Sequence, residues 1–481
     1  MATTVNLRPL LHRKQWEMCC TLSAGQLDAL GAASTQFDQL QVYVNGTSSV
    51  FLYDPRQDAV SALPASPLTS WTTWACAVVY HPGGPTGTAS AGTSTTVTTT
   101  ANLAQSLAGY TIRITAGTGA GQERTILRNT YGANSVVTVT SAWSVTPDNT
   151  SVYLILSGRW WCLNSSGTAG MRYYDLATNT WSGALSVTGM GATNNLLFCA
   201  TPALGNAVVT STATAATSTT LTDSTRNWSA SQFVNSQVRI TGGAGAGQVR
   251  TITANTATAL TVAAWTTTPD ATSTYVIEPN DDFLYAAGNN AVALYRYSIS
   301  GNTWSTLSPA VARTTTAGSG GCLSFVGVTS DTGSGSWADE TNIKNCRYIY
   351  SFAGAGSANL AIYDIAANSW NNIQTAYGRG GGTATNIQSF SPSNGWSSVI
   401  EREYIYFSQP ISTGAPYTLF RFNCVTNVME AFTSTNLGSS SINNNSGKLC
   451  IASYTDGTTT IRWLYQLTYG LPTTMFRMLI I

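Results

Sequence analysis

The sequence predicts an all-β chain of short hairpins set side by side as the blades of a ring, on three observations. One is a recurring aromatic–Asn–Trp pattern, and another is a partner strand upstream of every copy. The third is a composition rich in Ser, Thr, Gly, Asn and Ala, with 14 Trp and 22 Tyr. That mix suits short strands joined by polar turns.

The pattern is clearest in "MRYYDLATNTW", with Tyr174, Asn179 and Trp181. It returns in "ALYRYSISGNTW", with Tyr297, Asn302 and Trp304, and in "LAIYDIAANSW", with Tyr363, Asn368 and Trp370. Weaker copies keep the frame at Phe422, Asn427 and Met429, and at Tyr53, Asp58 and Val60. "RWLYQLTYG", around Tyr465, reads as a last, eroded copy. The residue types suggest a mechanism. The aromatic ends an outgoing strand, and Asn tolerates the left-handed turn that follows. Trp then opens the returning strand and packs between neighbouring sheets.

The upstream partners are "LQVYVNG", "RWWCLN", "DFLYAAG", "CRYIYSFAG", "REYIYFSQP" and "KLCIASYT". Six hairpins fit six radially arranged blades, in which each four-stranded sheet stacks on the next and shields its edges.

Tyr174, Asp175, Asn179 and Trp181, and again Tyr363, Asp364, Asn368 and Trp370, resemble the kelch signature. The chain is thus similar to kelch and galactose-oxidase-type β-propellers. That resemblance implies a Gly-Gly doublet before the third strand of each blade. Gly320-Gly321 and Gly380-Gly381 are candidates, and the other blades lack one. The expected fold class is all-β, a six-bladed kelch-like β-propeller with two small all-β insertion domains.

Those insertions are visible as a doubled spacing between copies. The two intervening segments align with each other: Gly121-Gln122 with Gly247-Gln248, Arg124 with Arg250, Trp143 with Trp265, Pro147-Asp148 with Pro269-Asp270. Alternating Thr, Val and Ile mark each as a β-module, and an exposed loop tolerates such an insertion. The expected organisation is an N-terminal arm (1–40), propeller (41–85), first module (86–156), propeller (157–209), second module (210–279) and the remaining blades (280–481).

The module, "G-A-G-Q-x-R-T-I" followed by "W-T-T-T-P-D", resembles a β-unit found in bacteriophage structural proteins, especially tail and fibre components. The opening "NLRPLLHRKQWEMC" is similar to the start of phage virion proteins that carry propellers. These resemblances imply a non-enzymatic structural protein of a phage particle, placed in the virion after assembly in the host cytoplasm. It would make protein–protein contacts in the tail, neck or capsid-associated apparatus. Its partners would be other virion proteins in multiple copies around a symmetric assembly. A receptor- or glycan-binding tail or fibre adhesin, contacting a host surface glycan, is the alternative. Arg8, Arg13, Lys14 and Trp16 are candidate docking residues in the N-terminal arm.

Composition excludes other classes. Charged residues make up 9% of the 481, with a net charge of +1, so no basic nucleic-acid surface is expected. No apolar run has the length of a membrane span. The first twenty residues lack the apolar core of a signal peptide, so classical secretion is not expected. The nine cysteines have no zinc-site spacing and read as buried free thiols or as thiols that pair after release from a cell.

Nothing in the sequence assembles a catalytic centre, a metal site or a cofactor site. There are two histidines, His12 in the arm and His81 before Pro82-Gly83-Gly84 at a turn, and neither sits in a triad pattern. The carboxylate pairs Asp281/Asp282, Asp339/Glu340 and Glu401/Glu403 read as solvated turns rather than as a glycosidase pair. The glycine-rich "ITAGTGAGQER" and "ITGGAGAGQVR" lack the Lys and the following helix of a phosphate loop. They read as hairpin turns braced by Arg124 and Arg250. Trp160, Trp161, Trp304 and Trp370 could line a sugar platform, or could pack the blades, with Trp160 and Trp161 on opposite strand faces.

Overall fold

The computed structural model describes residues 17–21, 29–34, 40–44, 49–54, 59–68, 76–164, 170–190, 197–200, 209–287, 292–314, 322–325, 348–354, 357–373, 398–401, 404–409, 418–423, 428–433, 448–456, 459–467 and 474–480. Among these residues there is no helix, and every paired strand is antiparallel to its neighbour.

β1 (Glu17–Thr21) is followed by a four-stranded meander of β2 (Ala29–Ser34), β3 (Leu40–Val44), β4 (Val50–Asp54) and β5 (Ala59–Leu63). β6 (Cys76–His81) begins a second sheet, and the chain then leaves it for seven strands. These are β7 (Thr86–Thr88), β8 (Ala91–Thr93), β9 (Thr96–Thr98), β10 (Thr111–Ala116), β11 (Glu123–Asn129), β12 (Val136–Val139) and β13 (Val152–Leu156). They form their own sheet in the order β7-β13-β10-β11-β12-β9-β8. The second sheet is completed by β14 (Arg159–Asn164), β15 (Gly170–Asp175) and β16 (Thr180–Trp181).

β17 (Leu197–Ala200) repeats the manoeuvre. β18 (Val209–Thr212), β19 (Ala215–Thr217), β20 (Thr220–Thr222), β21 (Gln237–Gly242), β22 (Val249–Asn255), β23 (Ala259–Val262) and β24 (Thr274–Glu278) form a second seven-stranded sheet of the same order. β25 (Phe283–Ala287), β26 (Leu294–Ser298) and β27 (Thr303–Thr306) then complete the sheet that β17 began. Two plain four-stranded sheets follow. One holds β28 (Cys322–Phe325), β29 (Tyr348–Gly354), β30 (Ser357–Asp364) and β31 (Ser369–Ile373). The next holds β32 (Ser398–Glu401), β33 (Tyr404–Gln409), β34 (Thr418–Asn423) and β35 (Val428–Thr433). The last sheet runs β36 (Lys448–Asp456), β37 (Thr459–Leu467), β38 (Thr474–Ile480) and then back to β1.

The first strands of the four-stranded sheets touch in a closed cycle: β2 on β6, β6 on β17, β17 on β28, β28 on β32, β32 on β36 and β36 on β2. This is a propeller-like all-β fold. The ring's core lies between neighbouring four-stranded sheets, and each seven-stranded sheet folds around a core of its own. Trp161, Leu163 and Met171 meet Phe198, Leu284 and Tyr297 across one gap. Cys199, Tyr285 and Leu294 meet Ile349, Tyr363 and Trp370 across the next. The six strands of this cycle include "ALGAAS" in β2 and carry Cys76, Cys199, Cys322 and Cys450 on β6, β17, β28 and β36. Cys162 and Cys199 are buried.

Two expectations are corrected. The arm expected over 1–40 contains β1 and β2, which pair with β38 and β3, so 17–21 and 29–34 belong to sheets. "RWLYQLTYG" is no copy of the repeat: Tyr465 lies on β37, a second strand, and "KLCIASYT" is the inner first strand. The third and fourth strands of that sheet are β38 and β1, which no turn connects, so the Asn-bearing turn has no place there.

Candidate functional site

The aromatic–Asn–Trp residues form one repeated device. Tyr297 and Trp304 are cross-strand partners, as are Tyr174 with Trp181 and Tyr363 with Trp370. In each pair the ring centroids are 5.2 Å apart. Asn179, Asn302 and Asn368 adopt φ of 56°, 47° and 46°, a conformation Asn tolerates better than most residues. Each accepts a hydrogen bond at Oδ1 from its tyrosine hydroxyl, at 2.6 Å from Tyr297 and 2.7 Å from Tyr363, and likewise from Tyr174. Each Tyr–Trp pair packs against the preceding sheet. Farther along, Phe422 pairs with Met429 and Tyr53 with Val60 in the same register.

The glycine-rich turn of each module is built alike. Gly117, Gly119 and Gly121 have φ of 74°, 80° and 89°, and Gly243, Gly245 and Gly247 have 75°, 77° and 87°. A Cβ on Gly117 would stand 2.0 Å from the Thr150 carbonyl oxygen, so glycine is required for space as well as for backbone angle. Gln122 Nε2 donates to Gly119 O at 3.0 Å and Val145 O at 2.9 Å, while its Oε1 accepts from Ser144 N at 2.7 Å. Gln248 does the same with Gly245, Thr267 and Thr266. Arg124 donates from Nε to Ala142 O at 3.0 Å, with its guanidinium 5.3 Å from the centre of the Trp143 ring. Arg250 repeats this at Ala264 O and Trp265. The "G-Q-x-R" and "W-x-x-T-P-D" stretches therefore stitch one turn to the next.

The two turns also meet each other. A Cβ on Gly121 would lie 2.6 Å from Thr241 O, and one on Gly247 would lie 2.7 Å from Thr115 O. These are the same contact made twice, since Gly121 aligns with Gly247 and Thr115 with Thr241. Behind the turns, four charges are shared between the modules. Arg239 reaches Glu278 at 3.0 Å in its own module and Glu123 at 3.0 Å in the other. Arg113 pairs with Glu123 in its own module and lies 3.5 Å from Glu278 in the other. Burial works against the Glu278 charge, but Arg113 and Arg239 hold its carboxyl below the usual range.

The module roots are also polar and buried. His81, at the end of β6, is 4% exposed. Its Nε2 lies 2.8 Å from Asp281 O and its Nδ1 3.1 Å from Gly83 N. These partners assign the imidazole proton to Nε2. Burial lowers its pKa to about 4, so the ring is neutral. Arg159 joins Asp175 at 2.9 Å to Gly84 O at 2.8 Å. Asp282 caps the β26–β27 turn, accepting from Ser300 N at 2.6 Å and Ser298 Oγ at 2.7 Å. The first module sits on the β15–β16 turn, where Ala104 N donates to Ala177 O at 2.9 Å. The second reaches the β30–β31 turn through Asn235 Nδ2 and Ile365 O at 2.9 Å.

Several candidates from the sequence are placed elsewhere than a binding surface. Trp160, Trp161, Trp304 and Trp370 are all buried, so they do not line a sugar platform. Trp160 stacks on Tyr174 at 5.6 Å, whereas Trp161 faces Tyr297 of the next sheet at 5.9 Å, on opposite faces of β14. Asp281 and Asp282 are half-buried at the root rather than in a solvated turn, and desolvation, with Glu278 nearby, raises the Asp281 pKa to about 6. Arg8, Arg13, Lys14, Trp16, His12, Asp339, Glu340, Glu403, Gly320-Gly321 and Gly380-Gly381 lie outside the described residues. No group of three or more metal-ligating side chains occurs among the described residues. Sequence reasoning missed Arg113, Arg239, Glu123 and Glu278. The signal was an arginine between buried Ile or Val positions at the same place in both modules, "IRIT" and "VRIT".

No known protein-family model matches the chain, and no curated protein matches it. Among solved structures it is similar to streptogramin B lyase, with a TM-score of 0.38 and 7% identity over 97% of each chain. It is also similar to the WD40 domain of Toxoplasma gondii coronin, with a TM-score of 0.37 and 10% identity over 97% of this chain and 84% of that one. The Malassezia sympodialis allergen Mala s 1 matches with a TM-score of 0.35 and 9% identity over 95% and 93%.

Proposed function

We propose that this chain is a non-enzymatic structural component of a bacteriophage particle, working through protein–protein contacts in the tail, neck or capsid-associated apparatus. In this reading it is a six-bladed, kelch-like propeller carrying two inserted phage-type modules. The observation that carries the reading is the module pair. Two related modules are clamped together by reciprocal glycine turns and a buried charge network, and are seated on blade turns of the propeller. Such a body presents a large, weakly charged, preorganised surface, which suits assembly contacts. The buried tryptophans give no support to the glycan-binding alternative.

Mass spectrometry of purified particles tests the proposal. The chain is expected at a fixed copy number per particle, and particles made without it are expected to be incomplete. Its absence from purified particles overturns the reading. Release of reducing sugars from host polysaccharide by the purified protein would replace it with an enzymatic one.

A further inference from the structure

We propose that the glycine turn of each module is a homotypic docking surface whose partner is another copy of the same module, here supplied by the same chain. The inference is independent of the phage reading. It rests on two observations, the first being the reciprocity of the contact. Gly121 faces Thr241 O and the Ala246 Cβ, while Gly247 faces Thr115 O and the Ala120 Cβ. Residue i meets j′ and i′ meets j, which is the signature of an isologous two-fold interface.

The second observation is the charge balance. Each module brings one arginine from the same strand position, Arg113 or Arg239, and one carboxylate, Glu123 or Glu278. Each carboxylate contacts the arginine of its own module and that of the other. The carboxylates come from unrelated positions, since Glu123 aligns with Val249 and Glu278 with Leu156. Every module is therefore neutral at this surface by itself. Two identical modules would pair with the same two acids and two bases as the native pair, leaving no buried charge uncompensated. A surface complementary only to a different partner would not need both signs on each side.

The experiment has two arms. In the full-length chain, Ala120→Glu wedges a carboxylate against Gly247 without altering the second module. Hydrogen exchange across 241–248 is then expected to accelerate on the order of tenfold, while the second module's core strands stay protected. Unchanged exchange there overturns the proposal. In the second arm, residues 209–278 are excised. Val209 and Ile277 are cross-strand partners, so the excised segment begins and ends side by side. The shortened chain, its first module unpartnered, is expected to dimerise with concentration in sedimentation, and Ala120→Glu is expected to abolish the dimer. A folded chain that stays monomeric overturns trans pairing. If the excised chain does not fold, the exchange measurement decides.

Discussion

Tyr297 holds Asn302 in a left-handed conformation: its hydroxyl donates to Asn302 Oδ1 at 2.6 Å, and the same oxygen accepts from Ser186 N at 2.9 Å. The asparagine thus fixes its own turn and ties on the segment that follows β16. Asn302→Ala loses both hydrogen bonds and places an unsuited residue at φ 47°, at a cost of about 2–3 kcal/mol. Asn302→Gly keeps the backbone freedom and is expected to cost less than the alanine. Urea unfolding of the three proteins tests this order, and equal losses would show that backbone conformation contributes nothing.

The second module depends on a buried carboxylate that the first lacks. Asp223 is fully buried, accepting from Thr225 Oγ1 at 2.6 Å, Tyr275 Oη at 2.8 Å and Arg226 Nε at 3.2 Å. In the first module Thr99 takes its place, and the Tyr153 hydroxyl accepts from the backbone N–H groups of Thr100 and Ala101. Asp223→Ala removes the carboxylate that accepts from the Tyr275 hydroxyl and is expected to destabilise the second module by about 3–5 kcal/mol. Pairing it with Tyr275→Phe should recover part of that loss. Exchange protection of β21 and β24 reads the effect, and additive losses would deny the coupling.

Acid acts on the root in two opposing ways. His81 titrates near 4 when folded and 6.5 otherwise, so its contribution is complete above about 6.5 and is lost as pH falls towards 4. Asp281 titrates near 6 rather than 3.8, so its buried charge costs stability at neutral pH and that cost is relieved as pH falls below 6. Between pH 7 and 5 the two offset in the parent chain. His81→Gln should gain stability on acidification and Asp281→Asn should lose it. Thermal midpoints at the two pH values measure both signs, and matching responses in all three proteins would remove either group from the acid response.

Glu278 is the charge on which the module pair turns. It is fully buried and accepts from Arg239 Nε at 3.0 Å and Gln237 Nε2 at 3.2 Å, with Arg113 3.5 Å away. Glu278→Gln removes one of the two carboxylates paired with the buried guanidiniums, leaving Glu123 in contact and Asp281 nearby, and is expected to cost about 3–5 kcal/mol. A leucine at Arg113 in the same chain should return part of it. Calorimetry of the single and double variants decides, and a single variant as stable as the parent would show that the network is dispensable.

The three strong repeats were legible because everything they encode is local: a strand end, a left-handed Asn and a cross-strand Trp lie within eight residues. The duplication itself pointed to the two segments that form the seven-stranded sheets. β1 and β2 were not legible, since "EMCCT" and "ALGAAS" carry little of the β-branched, alternating pattern that marks a half-buried strand. They are strands because of the partners they pair with, β3 beside β2 and β38 beside β1. The inter-module charges were hidden for a related reason. Arg113 looks solvated along its own strand, and only the packing of the two modules reveals its second carboxylate.

The pairing of β1 with β38 imposes an order of events. β1 is made before β38 and before every described strand between them, so until β38 follows it is an unsatisfied edge able to template association. The entropic cost of waiting is modest, because loop closure grows only with the logarithm of the intervening length. A circular permutant that begins at β2 and carries β1 after β38 would make the last sheet, β36 to β38 and then β1, from strands that follow one another in sequence. It should refold faster and aggregate less, while the finished ring stays the same.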